Sequence, residues 1–329
     1  MANTIVDQHG VEAVGIGLTS TCNLRCPHCY SRNLDQGTMN LADVKQIVKQ
    51  FPSLKMINFG TGESLFAPDL IKIIFFLKFK GIKLALTTNG TTVDGLSDAV
   101  LKHFKDIDIS IDFPVAKLHD KWRGRDGLFK MAMNSIARCK RLKINTSVVL
   151  ALMNTNYKYL ADFKQLISKY RVTLRINLYK PVGTNKYLLN YRQFWQAMAT
   201  IAKNFKVVSC SEPLLSWYFP NNTGGGSPCG RSVRIHPNKQ MTPCVYLSVK
   251  QKDEFLRFVN EMPAFCLSCS IKKSCRGGCL GRRLIEGRLK KPDEYCPLYK
   301  KRKFPNLKFL SSKNKEFIHS GYLCTMILQ

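Results

Sequence analysis

Acidic residues are scarce in this chain: 22 Asp and Glu stand against 51 Lys and Arg, a formal net charge of +29 over 329 residues. Such an excess suits an anionic partner or substrate, either nucleic acid or an acidic peptide, although a lysine-rich surface also serves solubility alone. Long apolar runs are missing as well. The greasiest stretch, Leu70 to Leu86, is broken by Lys72, Lys78, Lys80 and Lys83, short of the run of about 18 apolar residues that a membrane-crossing helix needs. The N-terminus, Met1-Ala2-Asn3-Thr4-Ile5-Val6-Asp7, lacks the basic and apolar regions of a secretory signal, so a cytoplasmic, reducing location is expected. A hydrophobic share of 45% excludes disorder as the global state.

Cysteine is plentiful by contrast, with 13 residues. In a reducing compartment a disulfide framework is not expected, and clustered spacing points to metal or iron–sulfur ligation. The length suits about two domains. From Val14 to about Phe205, short β-branched runs alternate with amphipathic stretches. Strands are expected at 14–18, 55–59, 83–87, 107–111, 145–150 and 172–177. Helices are expected at 41–51 with Asn40 as N-cap, and at 68–80, 95–104, 128–142 and 157–170. Six β/α repeats imply an α/β fold with a parallel sheet, open or as a partial barrel, too few strands for a closed eight-stranded one. Loops at the C-terminal ends of such strands carry chemistry.

After Val208 the character changes to the loop-like run 221–228 and a field of cysteines from Cys210 to Cys296. The expected organisation is a short N-terminal segment (1–13), the α/β domain (14–208), a small metal-stapled domain (209–299) and a basic tail (300–329). That tail ends in an apolar piece, Tyr322 to Leu328, able to dock on the core or on a partner.

Directly after the first strand, Cys22-Asn23-Leu24-Arg25-Cys26-Pro27-His28-Cys29-Tyr30 sets three cysteines at C-x3-C-x2-C. Three thiolates can hold three irons of a cubane and leave the fourth iron open to a chelating ligand, whereas structural zinc or a structural cluster wants four protein ligands. This segment resembles the signature of the radical S-adenosylmethionine (radical SAM) superfamily. Gly60-Thr61-Gly62-Glu63 resembles the family's glycine-glycine-glutamate motif, with Thr61 in place of the first glycine. Thr88-Asn89-Gly90 and Ser110-Ile111-Asp112 follow in the family's order.

The resemblance covers about residues 14–205 and implies a partial (β/α)6 barrel. It implies that Cys22, Cys26 and Cys29 hold a catalytic [4Fe–4S] cluster. It also implies that Thr61, Gly62 and Glu63 approach the methionine end of SAM, that Asn89, Ser110 and Asp112 lie toward its ribose, and that Tyr30 leans toward adenine. An electron donor such as ferredoxin or flavodoxin is implied with them. The reaction implied is reductive cleavage of SAM to a 5′-deoxyadenosyl radical that abstracts a substrate hydrogen. His28 is expected as a packed side chain, and Arg123-Gly124 and Gly127-Leu128-Phe129 resemble a stretch common in the family.

The later cysteines resemble the SPASM extension of radical SAM enzymes, which carries two auxiliary [4Fe–4S] clusters and would bring the total to three. By that resemblance Cys266, Cys269, Cys275 and Cys296 hold one auxiliary cluster, and Cys229, Cys244 and Cys279 hold the other. Cys210 is the candidate fourth ligand of the latter, the alternative being an iron open toward substrate; zinc remains the alternative metal for this field. Where the family has a glycine before its second cysteine, Asn238-Lys239 supplies the turn. Cys139 and Cys324 are expected to pack.

Enzymes of this kind mostly modify peptides or proteins. The expected function is maturation of a ribosomally made peptide by crosslinking, epimerisation or backbone excision such as tyramine removal. About fourteen residues precede the first strand, so a separate leader-recognition protein, or an acidic leader on the basic surface, is expected to bring the substrate. The alternatives are a small-molecule or cofactor-precursor radical SAM enzyme and, more weakly, a metal-stapled nucleic-acid-binding protein. No basic module interleaved with aromatics supports the last.

Overall fold

The computed structural model describes residues 11–219, 233–312 and 325–329; Cys229 and Cys324 lie outside them. The chain opens with β1 (Ala13–Ile16), α1 (Leu41–Gln50), β2 (Met56–Phe59), α2 (Leu70–Phe79), β3 (Lys83–Thr88), α3 (Thr91–Gly95), α4 (Asp98–Leu101) and β4 (Phe104–Ser110). It continues through α5 (Ala116–Arg123), α6 (Leu128–Arg141), β5 (Asn145–Leu152), α7 (Phe163–Tyr170), β6 (Thr173–Leu178), α8 (Tyr191–Asn204) and β7 (Lys206–Cys210). There follow β8 (Val233–Ile235), β9 (Met241–Thr242), α9 (Lys252–Phe258), α10 (Lys272–Cys275), α11 (Leu280–Ile285), β10 (Leu310–Ser311) and β11 (Thr325–Leu328).

Packing divides the chain into two compact units. Among the described residues the first holds 11–149 and 233–249; the second holds 150–219, 250–312 and 325–329. These units follow packing, whereas divisions at 14, 208 and 300 follow motif content.

In the first unit the strands lie in the order β5-β4-β3-β2-β1-β8-β9. Neighbours from β5 to β8 are parallel, and β9 returns antiparallel to β8. The strands are buried on both faces, Ile57, Phe59, Leu86, Ile107 and Ile109 being fully buried, as expected of a parallel sheet covered by helices. Asn40 caps α1 in a reciprocal box with Asp43, two orphan amides being satisfied at once. The greasy run resolves into α2 and β3: Leu70, Ile73, Ile74 and Leu77 turn inward while Lys72, Lys78 and Lys80 stay exposed.

Two helices depart from the periodicity. The expected helix at 95–104 is replaced by α3 and α4, because Gly90 starts a helix early at φ 108° and Ser97 caps a second one through the Val100 amide. The expected helix at 157–170 opens with a separate 3-10 turn, Tyr157–Tyr159, before α7. Helix α5 was not legible in the apolar pattern.

In the second unit the strand order is β10-β7-β11-β6. The apolar tail piece docks on the core: β11 is wholly buried between β6 and β7, antiparallel to both. Helix α8 carries a capping box of Asn190 and Gln193 and presses Phe194 flat on Tyr295 at 4.3 Å. Trp195 Nε1 donates to the Tyr295 carbonyl at 3.1 Å and the Tyr295 hydroxyl donates to the Leu189 carbonyl at 2.8 Å. The cysteine-rich segment is thereby fastened to a long helix.

Candidate active site

The first-unit site is built at the C-terminal ends of β1 to β4. After β1, the turn closed by the Cys29 amide on the Cys26 carbonyl at 3.2 Å folds the three cysteines into one loop. Cys26 is buried with Leu24 and Leu128, and Cys29 and Met131 pack on this apolar floor; Cys22 stands exposed. Burial pushes the Cys26 thiol up to about 11, and the neighbouring Cys29 and Cys22 thiols push the same way. Thiols so placed hold their protons until a cation replaces them. One loop thus carries three thiols, two on the apolar floor and Cys22 exposed, a donor set that suits a cluster with one iron left open,.

Beyond β2 the chain turns tightly at Gly60–Glu63. Gly62 sits at φ 60°, and a Cβ there would lie 2.4 Å from the Thr19 carbonyl oxygen and 2.6 Å from that of Thr21. Only glycine allows that approach, which sets the turn against the segment leading into Cys22. Thr61 takes φ 83°, a costly conformation for a β-branched residue. Arg234 on β8 holds it there, its Nη2 donating to the Thr61 hydroxyl and the Gly60 carbonyl. Gly15 leaves the room for that guanidinium, since a Cβ on it would meet Arg234 Nη1 at 2.9 Å.

Glu63 is 1% exposed and ties the loop after β2 to the segment after β3. Its Oε1 accepts from the Thr88 hydroxyl and from the Thr92 hydroxyl and amide; its Oε2 accepts from the Asn89 amide at 2.9 Å. Burial pushes its carboxyl up against the pull of these donors. Asn89 in turn donates from Nδ2 to Asn23 Oδ1 at 3.0 Å and lies 3.8 Å from the Cys22 sulfur, so the third loop touches the first. Tyr30 meets Tyr246 edge-on at 5.1 Å, and Ser110 ends β4 half-buried.

Asp112, expected toward the SAM ribose, is fully buried and paired with Arg123. Gly124 ends α5 at φ 71°. The Asp120 carboxylate accepts from the Gly127 and Phe129 amides at 2.8 and 2.7 Å, which gives the stretch common to the family a capping task.

In the second unit, Cys266, Cys269, Cys275 and Cys296 line one cavity together with Leu214 and Phe304. Burial pushes the Cys266 thiol up to about 11, with Cys296 and Cys269 adding to it. Among the described residues no three His, Cys, Asp or Glu side chains converge on a single ion. Four thiols on one cavity are a donor set that could hold a metal or a cluster,. Gly277 lets the loop close, because a Cβ on it would meet Pro263 at 2.7 Å.

Cys279 caps α11, its sulfur taking the Arg282 amide at 3.4 Å. The Arg282 guanidinium, 1% exposed, binds Glu212 at 3.0 Å and Asp293 at 2.5 Å. Cys210 ends β7 and is buried, which pushes its thiol up to about 12; two residues on, Glu212 links its segment to that of Cys279. Cys244 lies in the first unit, after a turn in which Lys239 takes φ 73° where the family has glycine.

The family model for the radical SAM superfamily matches residues 16–167. The fold resembles anSMEcpe with bound AdoMet and Cp18Cys peptide, at TM-score 0.68 and 16% identity over 88% of this chain and 95% of that one. Residues 16–167 belong to the radical SAM superfamily. Its α/β fold with a parallel sheet is of the radical SAM type, and it is an enzyme that works with a [4Fe–4S] cluster and SAM.

Another similar structure is Streptococcus suis SuiB bound to precursor peptide SuiA, with TM-score 0.67 and 16% identity over 88% of this chain and 76% of that one. By sequence, this radical SAM enzyme is 24% identical to the mycofactocin maturase MftC of Mycolicibacterium smegmatis over 85% of the chain and 81% of the relative. It is 28% identical to the AdoMet-dependent heme synthase of Oleidesulfovibrio alaskensis over 45% of the chain and 40% of that protein. No helix among the described residues is long and apolar enough to cross a membrane.

Sequence reasoning missed Arg234, Thr92 and the Arg282–Glu212–Asp293 group. Arg234 reaches Thr61 across 173 positions, and nothing local marks it; the unusual threonine in a glycine position was the available signal.

Proposed function

We propose that this radical SAM enzyme modifies a peptide or protein and carries auxiliary clusters beside the SAM-binding one. The observation that carries the peptide reading is the likeness, across 88% of the chain, to two structures solved with peptides bound. The +29 charge supports an acidic peptide leader,. A heme precursor is the second reading, favoured by matches to heme synthases, one of them 22% identical over 80% of the chain. A cytoplasmic location, an electron donor of the ferredoxin or flavodoxin kind and a separate leader-recognition protein belong to the proposal.

Cys22, Cys26 and Cys29 would hold the SAM cluster, and Cys266, Cys269, Cys275 and Cys296 one auxiliary cluster. Cys229, Cys244 and Cys279, with Cys210 as candidate fourth ligand, are proposed for the other from the SPASM resemblance. When bound, cluster and SAM supply the one-electron chemistry that generates a 5′-deoxyadenosyl radical for hydrogen abstraction. The chain's own part is to hold the loops in register through Glu63 and Gly62, to offer Tyr30, Ser110 and Asn89 along the mouth, and to exclude water with Leu24, Leu128 and Met131.

The test is anaerobic reconstitution followed by iron counting and SAM cleavage with dithionite, then incubation with acidic precursor peptides or with iron coproporphyrin. About twelve irons per chain, 5′-deoxyadenosine and a mass change in a peptide are expected. Turnover of the porphyrin with no change in any peptide would overturn the peptide reading.

A further inference from the structure

We propose that Asp112 is a positioning residue for the cysteine loop, acting through His28 and Arg123, and not a contact to the SAM ribose. Asp112 lies two residues past the end of β4 and its side chain is fully buried. Its Oδ2 accepts from both Nε and Nη2 of Arg123 at 2.8 Å and faces Nε2 of His28 at 3.4 Å. That oxygen is taken up by nitrogens of the protein's own interior.

His28 stands between Cys26 and Cys29 in the loop itself. Trp122 Nε1 donates to His28 Nδ1 at 2.8 Å, and the two rings stack at 5.5 Å and 19°. Indole nitrogen is only a donor, so His28 Nδ1 must accept, and in the neutral ring the proton sits on Nε2, pointed at Asp112. The imidazole is thus fixed in tautomer, tilt and position by two partners. Trp122 and Arg123 are consecutive residues of α5, so one helix end fastens His28 with the first and Asp112 with the second. The Asp112 amide is held as well, donating to His119 Nδ1 at 3.2 Å.

The arrangement resembles the outer partners that orient metal-binding side chains, whose loss loosens the metal site while the ligands remain. The buried Asp112–Arg123 pair adds a consequence. Removing the carboxylate charge leaves an uncompensated guanidinium close enough to influence Cys26 and Cys29 electrostatically. A positive charge there favours the reduced, more negative cluster.

The inference rests on the SAM-cluster reading of Cys22, Cys26 and Cys29 and not on the substrate. The experiment compares reconstituted full-length wild type, Asp112→Asn and Trp122→Phe. It measures iron per chain, the EPR signal that responds to SAM, the midpoint potential of that signal, and KM for SAM.

The expected result is a changed SAM-responsive signal and a raised potential in Asp112→Asn, with KM for SAM within about threefold of wild type in the loaded fraction. Trp122→Phe, which keeps the Asp112–Arg123 pair, is expected to change the signal in the same sense but less. It keeps the test decisive where Asp112→Asn does not fold. An Asp112→Asn enzyme with wild-type iron, signal and potential but a KM for SAM raised about tenfold or more would show a ribose contact and overturn the proposal. So would a Trp122→Phe enzyme whose signal is unchanged. A wild-type chain with no SAM-responsive cluster would overturn the cluster reading, and this proposal with it.

Discussion

Replacing Gly62 by alanine tests how closely the second loop must approach the first. The residue sits at φ 60°, and the added Cβ would stand 2.4 Å from the Thr19 oxygen, 2.6 Å from the Thr21 oxygen and 3.0 Å from the Ser20 carbonyl carbon. The left-handed conformation costs an alanine roughly 1–2 kcal/mol. Overpacking adds about 1–3 kcal/mol, and all three obstacles are backbone, so no side chain can swing aside.

The worst contact is 1.0 Å inside the 3.4 Å at which ordinary contact begins, and relief must come from moving the segment before Cys22. A displacement of about 1 Å at a reacting centre costs on the order of 100-fold in rate. A total of about 2–5 kcal/mol, at roughly 2–4 °C per kcal/mol, lowers Tm by about 4–20 °C. Gly81 is the matched control: it lies at φ 70° with nothing within 4 Å of its Cβ position. Gly81→Ala should cost only the conformational part, about 1–2 kcal/mol, and leave SAM cleavage intact. The assay pairs thermal unfolding with 5′-deoxyadenosine release at equal iron loading. If Gly62→Ala matches Gly81→Ala in Tm and cleaves SAM at the wild-type rate, the close-approach reasoning is wrong.

Cys275→Ser should remove about four of twelve irons while SAM cleavage persists; unchanged iron would refute a cluster in that cavity. Thr61→Gly trades relief of about 1–2 kcal/mol of backbone strain against a charge-assisted hydrogen bond from Arg234 worth about 1.5–3 kcal/mol. Its Tm should therefore stay within about 5 °C of wild type by calorimetry. Arg282→Ala leaves Glu212 and Asp293 buried without their cation, a loss of about 3–5 kcal/mol; its Tm should fall by on the order of 10 °C. An unchanged Tm would show that the two acids find other partners.

Much of this protein is local in its sequence. The three-cysteine loop lies within eight consecutive residues, Cys22 to Cys29, and the parallel strands are β-branched runs buried on both faces. Asn40 before α1 announces its cap because a capping box needs only four residues,. Cys266, Cys269, Cys275 and Cys296, grouped by the SPASM resemblance, line one cavity.

Tertiary structure decided the rest. Glu63, expected at SAM, has its carboxylate taken up by Thr88, Asn89 and Thr92, because a buried charge must be met by every donor in reach. Asp112 shares its face of the site with Arg123 and His28 through a helix, α5, whose apolar pattern gave no sign of it. Arg234 supports Thr61 across a parallel pairing of β1 with β8, and β11 finds its place between β6 and β7. These are partners far apart in the chain: periodicity and spacing encode which face of an element is buried, while the identity of what it is buried against is fixed only when the strands are laid side by side.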